Sequence, residues 1–257
     1  MFEEPYRWVE AIQNRRDYLE EKLAGGSPIV ALPYRDGVLL ATVGSGSPKL
    51  FEIYDTIAFG GIGHPADLEK LRNVVLDISH VEGFNRSPND VTTRRLMKFG
   101  LAPMVKQAFE EILHAPYIAK IVMAEINPTS GKPLFFRLSY DGVFEERDKD
   151  MILAGIPDLT RRMEASLQTG DKRPFTFEKA IQVALRGWAI SLCPSADENH
   201  KETKSPPTTD QIDRTLKKHL KDHQIEVALL DRTQPGCAKY RTPSQEEIQG
   251  SLKGWLR

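Results

Sequence analysis

Ser27 follows Gly25-Gly26 and stands directly ahead of an apolar run at 29–32. Enzymes with an N-terminal nucleophile expose a Thr, Ser or Cys by cutting after a glycine, and the freed amine then serves as base. Ser27 fits that requirement. The alternative is an uncut chain in which Ser27-Pro28 simply leads into a strand. Lys49 opens a later β-like run, which the order of runs places as the third strand of the same sheet. Between them, Gly44-Ser45-Gly46-Ser47-Pro48-Lys49 offers repeated glycines followed by a lysine, a pattern that invites a phosphate ligand. A phosphate-binding loop of that kind needs G-x-x-x-x-G-K-[ST] between a strand and a helix, whereas here 50–53 continue as strand, so a flexible connection is the preferred reading. His219 and His223 lie four apart on a predicted helix, which is ligand spacing for zinc. Lys218 and Leu220 flank His219 where a metalloprotease would have Glu, and no third ligand is near, so a solvated helix face is expected. No metal site or cofactor is expected from the remaining histidines and carboxylates, which form no acid/base pair.

The elements that position these residues belong to a chain of 257 residues, 40% hydrophobic and 28% charged, with 35 basic against 36 acidic residues. That balance is the composition of a soluble globular protein and offers no basic surface for nucleic acid or an anionic membrane. No run of about 18 apolar residues exists. Phe2, Glu3, Glu4 and Pro5 stand where a signal peptide would be basic and then apolar, so a cytoplasmic location is expected. Cys193 and Cys237 are too few for a disulfide framework and read as free thiols.

Residues 8–24 form an expected amphipathic helix, with Trp8, Ile12, Leu19 and Leu23 at helical spacing and Gly25-Gly26 as its stop signal. Runs at 29–32 and 38–41 join through Asp36-Gly37, a strong hairpin signal, and runs at 49–53 and 56–60 repeat the pattern. Two helices follow, one with Leu68, Leu71, Val75 and Ile78 on a single face, the other with Met97, Leu101, Val105, Ala108 and Ile112. Pro103 predicts a kink or a shifted start in the second. Strands are expected at 117–126, 134–139, 143–145 and 151–154, then a helix from Asp158 and another carrying Phe177, Ile181, Ala184 and Trp188. Strands at 225–230 and 238–241 complete the β content. Residues 193–210 read as a flexible surface loop. Thr208 with Gln211 and Thr242 with Gln245 have capping-box spacing ahead of two further helices.

This order is α+β, with hairpins inside each β block. It suits a single domain over 1–257 built as a four-layer αββα sandwich, two antiparallel sheets packed face to face between helix pairs. Strands buried on both sides explain runs such as Ile121-Val122-Met123-Ala124, which lack polar alternation.

Ser27-Pro-Ile-Val-Ala-Leu, Asp36-Gly-Val-Leu-Leu-Ala, Lys49-Leu-Phe-Glu-Ile-Tyr-Asp through Gly63 and Ala66-Asp67, Tyr140-Asp141-Gly142, the Ala154-Gly155 turn and Ile225-Glu-Val-Ala-Leu-Leu-Asp follow in an order that resembles the proteasome superfamily. The resemblance covers about 5–192 and 224–248 and implies an N-terminal nucleophile hydrolase-like fold. In the catalytic β subunits of that family a processed Thr is assisted by an acidic residue and by a lysine opening the third strand. Here those positions fall on Ser27, Val43 and Lys49, so only the lysine is retained. The helix over 8–24 and the Pro5-Tyr6 opening resemble the α subunits of actinobacteria.

That resemblance implies a non-catalytic subunit of a heptameric α ring that contacts neighbouring α subunits and proteasome β subunits and passes protein substrates. It implies a gate made of Met1, Phe2, Glu3, Glu4, Pro5, Tyr6 and Arg7, and a pocket accepting the C-terminal tail of a hexameric regulatory ATPase. Lys49 would face the tail carboxylate, with Gly63 and His64 as the next element of the pocket. An ammonium on a short strand offers a terminal carboxylate a charge-assisted hydrogen bond. Two features depart from the family: the 193–210 loop is long, and Glu3-Glu4 make the tip acidic. A self-processing N-terminal-serine hydrolase using Ser27 is the competing function, and a phosphate-binding module at Gly44 to Lys49 a third.

Overall fold

The computed structural model describes residues 5–111, 113–167, 173–193 and 208–255, with the backbone alone at Pro5 and Tyr6. Met1, Phe2, Glu3 and Glu4 of the expected gate therefore lie outside the described residues, as do 194–207 of the expected loop.

Helix α1 spans Pro5–Ala24, so it starts earlier than the expected residue 8 and takes Pro5, Tyr6 and Arg7 into its first turn. Proline is well suited there because the first helical N–H groups need no partner within the helix. Leu19 and Leu23 are fully buried and Ile12 packs partly against the same core, whereas Trp8 at the other end of the stripe is 49% exposed. Three N–H groups of Arg15 reach the carbonyls of Phe109, Glu111 and His114, satisfying the open end of another helix.

Strands β1 (Ile29–Tyr34) and β2 (Gly37–Gly44) form the hairpin expected at Asp36-Gly37, and β3 (Leu50–Tyr54) and β4 (Ile57–Gly63) form the next. Helix α2 (Pro65–Asn85) follows, then a continuous helical stretch made of α3 (Thr93–Arg95), a π-helical segment (Leu96–Leu101) and α4 (Ala102–Glu110). The irregularity expected from Pro103 takes this form. The Ala102 N–H bonds to Met97 O, five residues back, and the wider turn admits the proline at the start of α4. Strands β5 (Ala119–Ile126), β6 (Pro133–Leu138), β7 (Phe144–Arg147) and β8 (Met151–Leu153) precede α5 (Pro157–Leu167) and α6 (Phe177–Ala189). Helix α7 (Thr209–His219), β9 (Gln224–Asp231), β10 (Tyr240–Arg241) and α8 (Gln245–Leu252) complete the described chain.

The Thr208/Gln211 capping box is present in full, so 208–210 belong to the start of α7 and not to the preceding loop. The second box is corrected by two residues. Ser244, not Thr242, caps α8 by accepting from the Glu247 N–H.

Among the described residues the strands form two five-stranded antiparallel sheets, ordered β10-β9-β2-β1-β8 and β3-β4-β5-β6-β7. β3 therefore does not share a sheet with β1 and β2, contrary to the expectation that Lys49 opens the third strand of one sheet. The far edge of β2 is already taken by β9 over the full length from Gly37 to Gly44, so the chain after β2 must cross to the other sheet. Strand alternation then fills three cores. On β1, Val30 and Leu32 face α5 and α6, while Ile29 and Ala31 face the opposite sheet. On β5, Val122 and Ala124 meet them between the sheets, and Ile121 and Met123 pack under α2 and α4. This is the four-layer αββα sandwich, with both faces of the central strands buried.

Candidate functional site

Where β2 leaves one sheet and β3 joins the other, the layers separate into a cleft of about 1070 Å³ lined by Ser27, Val43, Lys49, Gly63, Trp188 and Glu226 among others. Gly44 and Gly46 on its rim both avoid positive φ, so the 44–49 connection does not form the left-handed backbone cradle that a phosphate nest uses.

Ser27 is held by hydrogen bonds from three directions. Its hydroxyl donates to Val43 O at 2.6 Å, accepts from the indole Nε1–H of Trp188 at 3.1 Å and lies 3.3 Å from Thr42 Oγ1. Thr42 in turn donates to Pro28 O at 2.7 Å. The Ser27 proton is thus committed to a carbonyl, and none of its partners can serve as a general base. Upstream, Gly26 N closes the end of α1 on Leu23 O at 3.0 Å, and α1 is anchored by the buried Leu19 and Leu23.

Lys49 is half-buried, and its Nζ makes no hydrogen bond or ion pair with the described residues. Burial lowers its pKa from the ordinary lysine value, and the Glu226 carboxylate opposes that shift. Glu226 Oε1 accepts from the N–H groups of Lys49 and Leu50 at 2.9 and 2.8 Å, and Oε2 accepts from Lys49 N at 3.1 Å. The cation is left facing the cleft while its own backbone is fixed.

Gly63 ends β4 with φ of 139°, and a Cβ there would stand 1.9 Å from Ile118 O, so no other residue fits without movement. His64 does something different from what the sequence suggests. Its ring is exposed and accepts from Ala66 N at 3.3 Å as the N-cap of α2, outside the residues lining the cleft. The structure brings Lys49 and Gly63 together and leaves the His64 side chain aside.

The expected solvated face at His219 and His223 is also corrected. The rings stack at 3.8 Å with 12° between planes, His219 lies 5.4 Å from the Trp188 ring, and both histidines line the cleft. Burial first, and then His223, lower the His219 pKa from its usual value. No group of three or more metal-ligating side chains occurs among the described residues. Sequence reasoning missed Glu226 and the Trp188 indole. The signal for Glu226 was a carboxylate inside an otherwise apolar run, Ile225-Glu226-Val227-Ala228.

No protein-family model matches the chain. Its curated relatives are more informative. The proteasome subunit alpha of Saccharopolyspora erythraea is 29% identical over 263 residues, covering 97% of this chain and 91% of the relative. That of Pseudarthrobacter chlorophenolicus is 26% identical over 254 residues, 96% and 91% respectively. The chain is a relative of the actinobacterial proteasome α subunits. The corresponding subunit of Frankia alni adds 25% identity over 226 residues, with 87% of this chain and 85% of the relative covered. These relatives match along 87–97% of this chain, so the likeness to proteasome α subunits is not confined to one element or motif. The αββα sandwich agrees with that relationship.

Proposed function

We propose that this chain is the non-catalytic α subunit of a bacterial proteasome core particle. In this reading seven copies form an outer ring, β subunits carry out peptide-bond cleavage, and residues 1–7 narrow the axial entrance in the cytoplasm. The cleft at Lys49 receives the C-terminal tail of a hexameric regulatory ATPase. The observation that carries the reading is the whole-length likeness to proteasome α subunits. The cleft supports it, because a half-buried ammonium without a partner among the described residues suits a terminal carboxylate.

Ser27 as a freed nucleophile is disfavoured by packing. Cutting before it would release α1 and strip Leu19 and Leu23 from the core between the sheets, and each such side chain contributes roughly 1.5–3 kcal/mol when buried. The denatured intact mass decides between the two functions. The full sequence, with or without Met1, is expected, and a mass lacking residues 1–26 would make Ser27 an N-terminal nucleophile and the chain an enzyme. For the cleft, Lys49→Ala in the assembled particle is expected to abolish ATPase-stimulated protein degradation while cleavage of small peptides continues. Undiminished stimulation would remove Lys49 from the docking site.

A further inference from the structure

On β9, side chains alternate between the two faces of their sheet. Ile225, Val227 and Leu229 pack toward α6, and Ala228 and Leu230 pack between the sheets. The same period puts Glu226 on the inter-sheet face, where its strand partner is Thr42, itself fully buried. A carboxylate in that layer needs partners for both oxygens. It finds them across the join, on the N–H of Lys49, which leads into β3 of the other sheet, and on that of Leu50, the first residue of β3, at 2.8 to 3.1 Å. β3 is an edge strand, so the outward N–H of Leu50 has no strand to pair with, and the carboxylate takes that place.

We propose that Glu226 is the positioning residue of the Lys49 pocket: it pins the backbone that carries Lys49 and supplies the counter-charge that keeps its ammonium charged in a half-buried cleft. The proposal rests on the reading of Lys49 as the docking residue. Other titratable groups line the same cleft. Glu69 on α2 is engaged by Arg72, and His219 on α7 with His223 just after it stacks beside Trp188. Of these, Glu226 is the one whose carboxylate lies on the Lys49 backbone, and its charge opposes the burial that lowers the Lys49 pKa. Because the Glu226 oxygens are occupied by backbone N–H groups, its charge balances the lysine without forming an ion pair that would have to break when an anionic tail arrives. Lys49 stays both charged and available.

The test compares the full-length chain with Glu226→Gln, which keeps the side-chain shape and removes the charge. Lysines are labelled by reductive ¹³C-methylation, the Lys49 signal is assigned by its loss in Lys49→Arg, and its titration is followed by NMR. Glu226→Gln is expected to lower the Lys49 midpoint by about one pH unit, the shift that a nearby opposite charge commonly sustains. An unchanged midpoint overturns the proposal. A second readout is a double-mutant cycle between Glu226→Gln and Lys49→Met on thermal unfolding at neutral pH. Non-additive effects are expected, and additive ones overturn the coupling. Neither measurement needs a docking partner. In the assembled particle, stimulation by a peptide with a free C-terminal carboxylate should then fail at a correspondingly lower pH in Glu226→Gln. If the Lys49 midpoint moves but stimulation ignores both Glu226→Gln and Lys49→Ala, the docking reading fails and the positioning role stands. If Lys49→Ala abolishes stimulation and the midpoint does not move, the reverse holds.

Discussion

The Ser27 and Lys49 corners share one cleft and have opposite polar economies. At the Ser27 corner every polar atom is spoken for: the hydroxyl bonds Val43 O and the Trp188 indole, and Thr42 bonds Pro28 O. At the Lys49 corner the backbone is tied down by Glu226 while the ammonium has no partner among the described residues. In the uncut chain the Ser27 nitrogen is an amide that cannot act as base and the hydroxyl proton is engaged, whereas the second corner holds a fixed cation that none of the described residues pairs. The difference separates a corner whose polar atoms are engaged within the fold from one that leaves a cation open to the cleft.

The largest blow to that division is Trp188→Ala. It empties a nearly fully buried indole site and is expected to cost about 3–5 kcal/mol, measured by denaturant unfolding. A cost below 1 kcal/mol would mean that the Ser27 corner is not a structural one. Gly63→Ala comes next. Backbone strain at positive φ accounts for roughly 1–3 kcal/mol, and the overlap of a Cβ with Ile118 O adds to it. A lowered melting temperature is expected, together with weakened tail-stimulated degradation, because the Lys49 corner loses one of its walls.

Ser27→Ala sharpens the comparison. Leaving the Trp188 N–H and the Val43 carbonyl without this partner is expected to cost about 1–3 kcal/mol, and peptide hydrolysis by the assembled particle should persist. Loss of hydrolysis with an intact fold would restore Ser27 as a nucleophile. The smallest effect on stability belongs to Lys49→Met, within about 0.5 kcal/mol at neutral pH or slightly stabilising. Burial holds the native Lys49 pKa below that of the unfolded chain. Between those two values the unfolded chain binds the extra proton, so stability rises with pH through that alkaline window. Melting curves taken across it should show this rise in the native protein and a flatter profile in Lys49→Met.

Much of the scaffold was legible because its signals are local. Asp36-Gly37 makes its hairpin, Thr208 and Gln211 make their box, and Pro103 coincides with the widened π-helical turn. The double-sided burial of β5 could be read from Ile121-Val122-Met123-Ala124, since a strand without polar alternation must be covered on both faces. Less of the site was legible. Lys49 and Gly63 both line the cleft, but His64 turns its ring to cap α2, and His219 and His223 stack on each other at the cleft, partly buried.

By itself the sequence determined the element order and the αββα layering, because hairpin turns, caps and apolar periods act over a few residues. Only the tertiary structure decided which sheet β3 joins and what fixes it. β9 returns from far along the chain to occupy the edge of β2, and that same strand carries Glu226 to the N–H groups of Lys49 and Leu50, 177 and 176 residues away. Pairing over such separations is set by which edges and buried polar groups remain unsatisfied once all layers pack, and no local window of sequence contains that information.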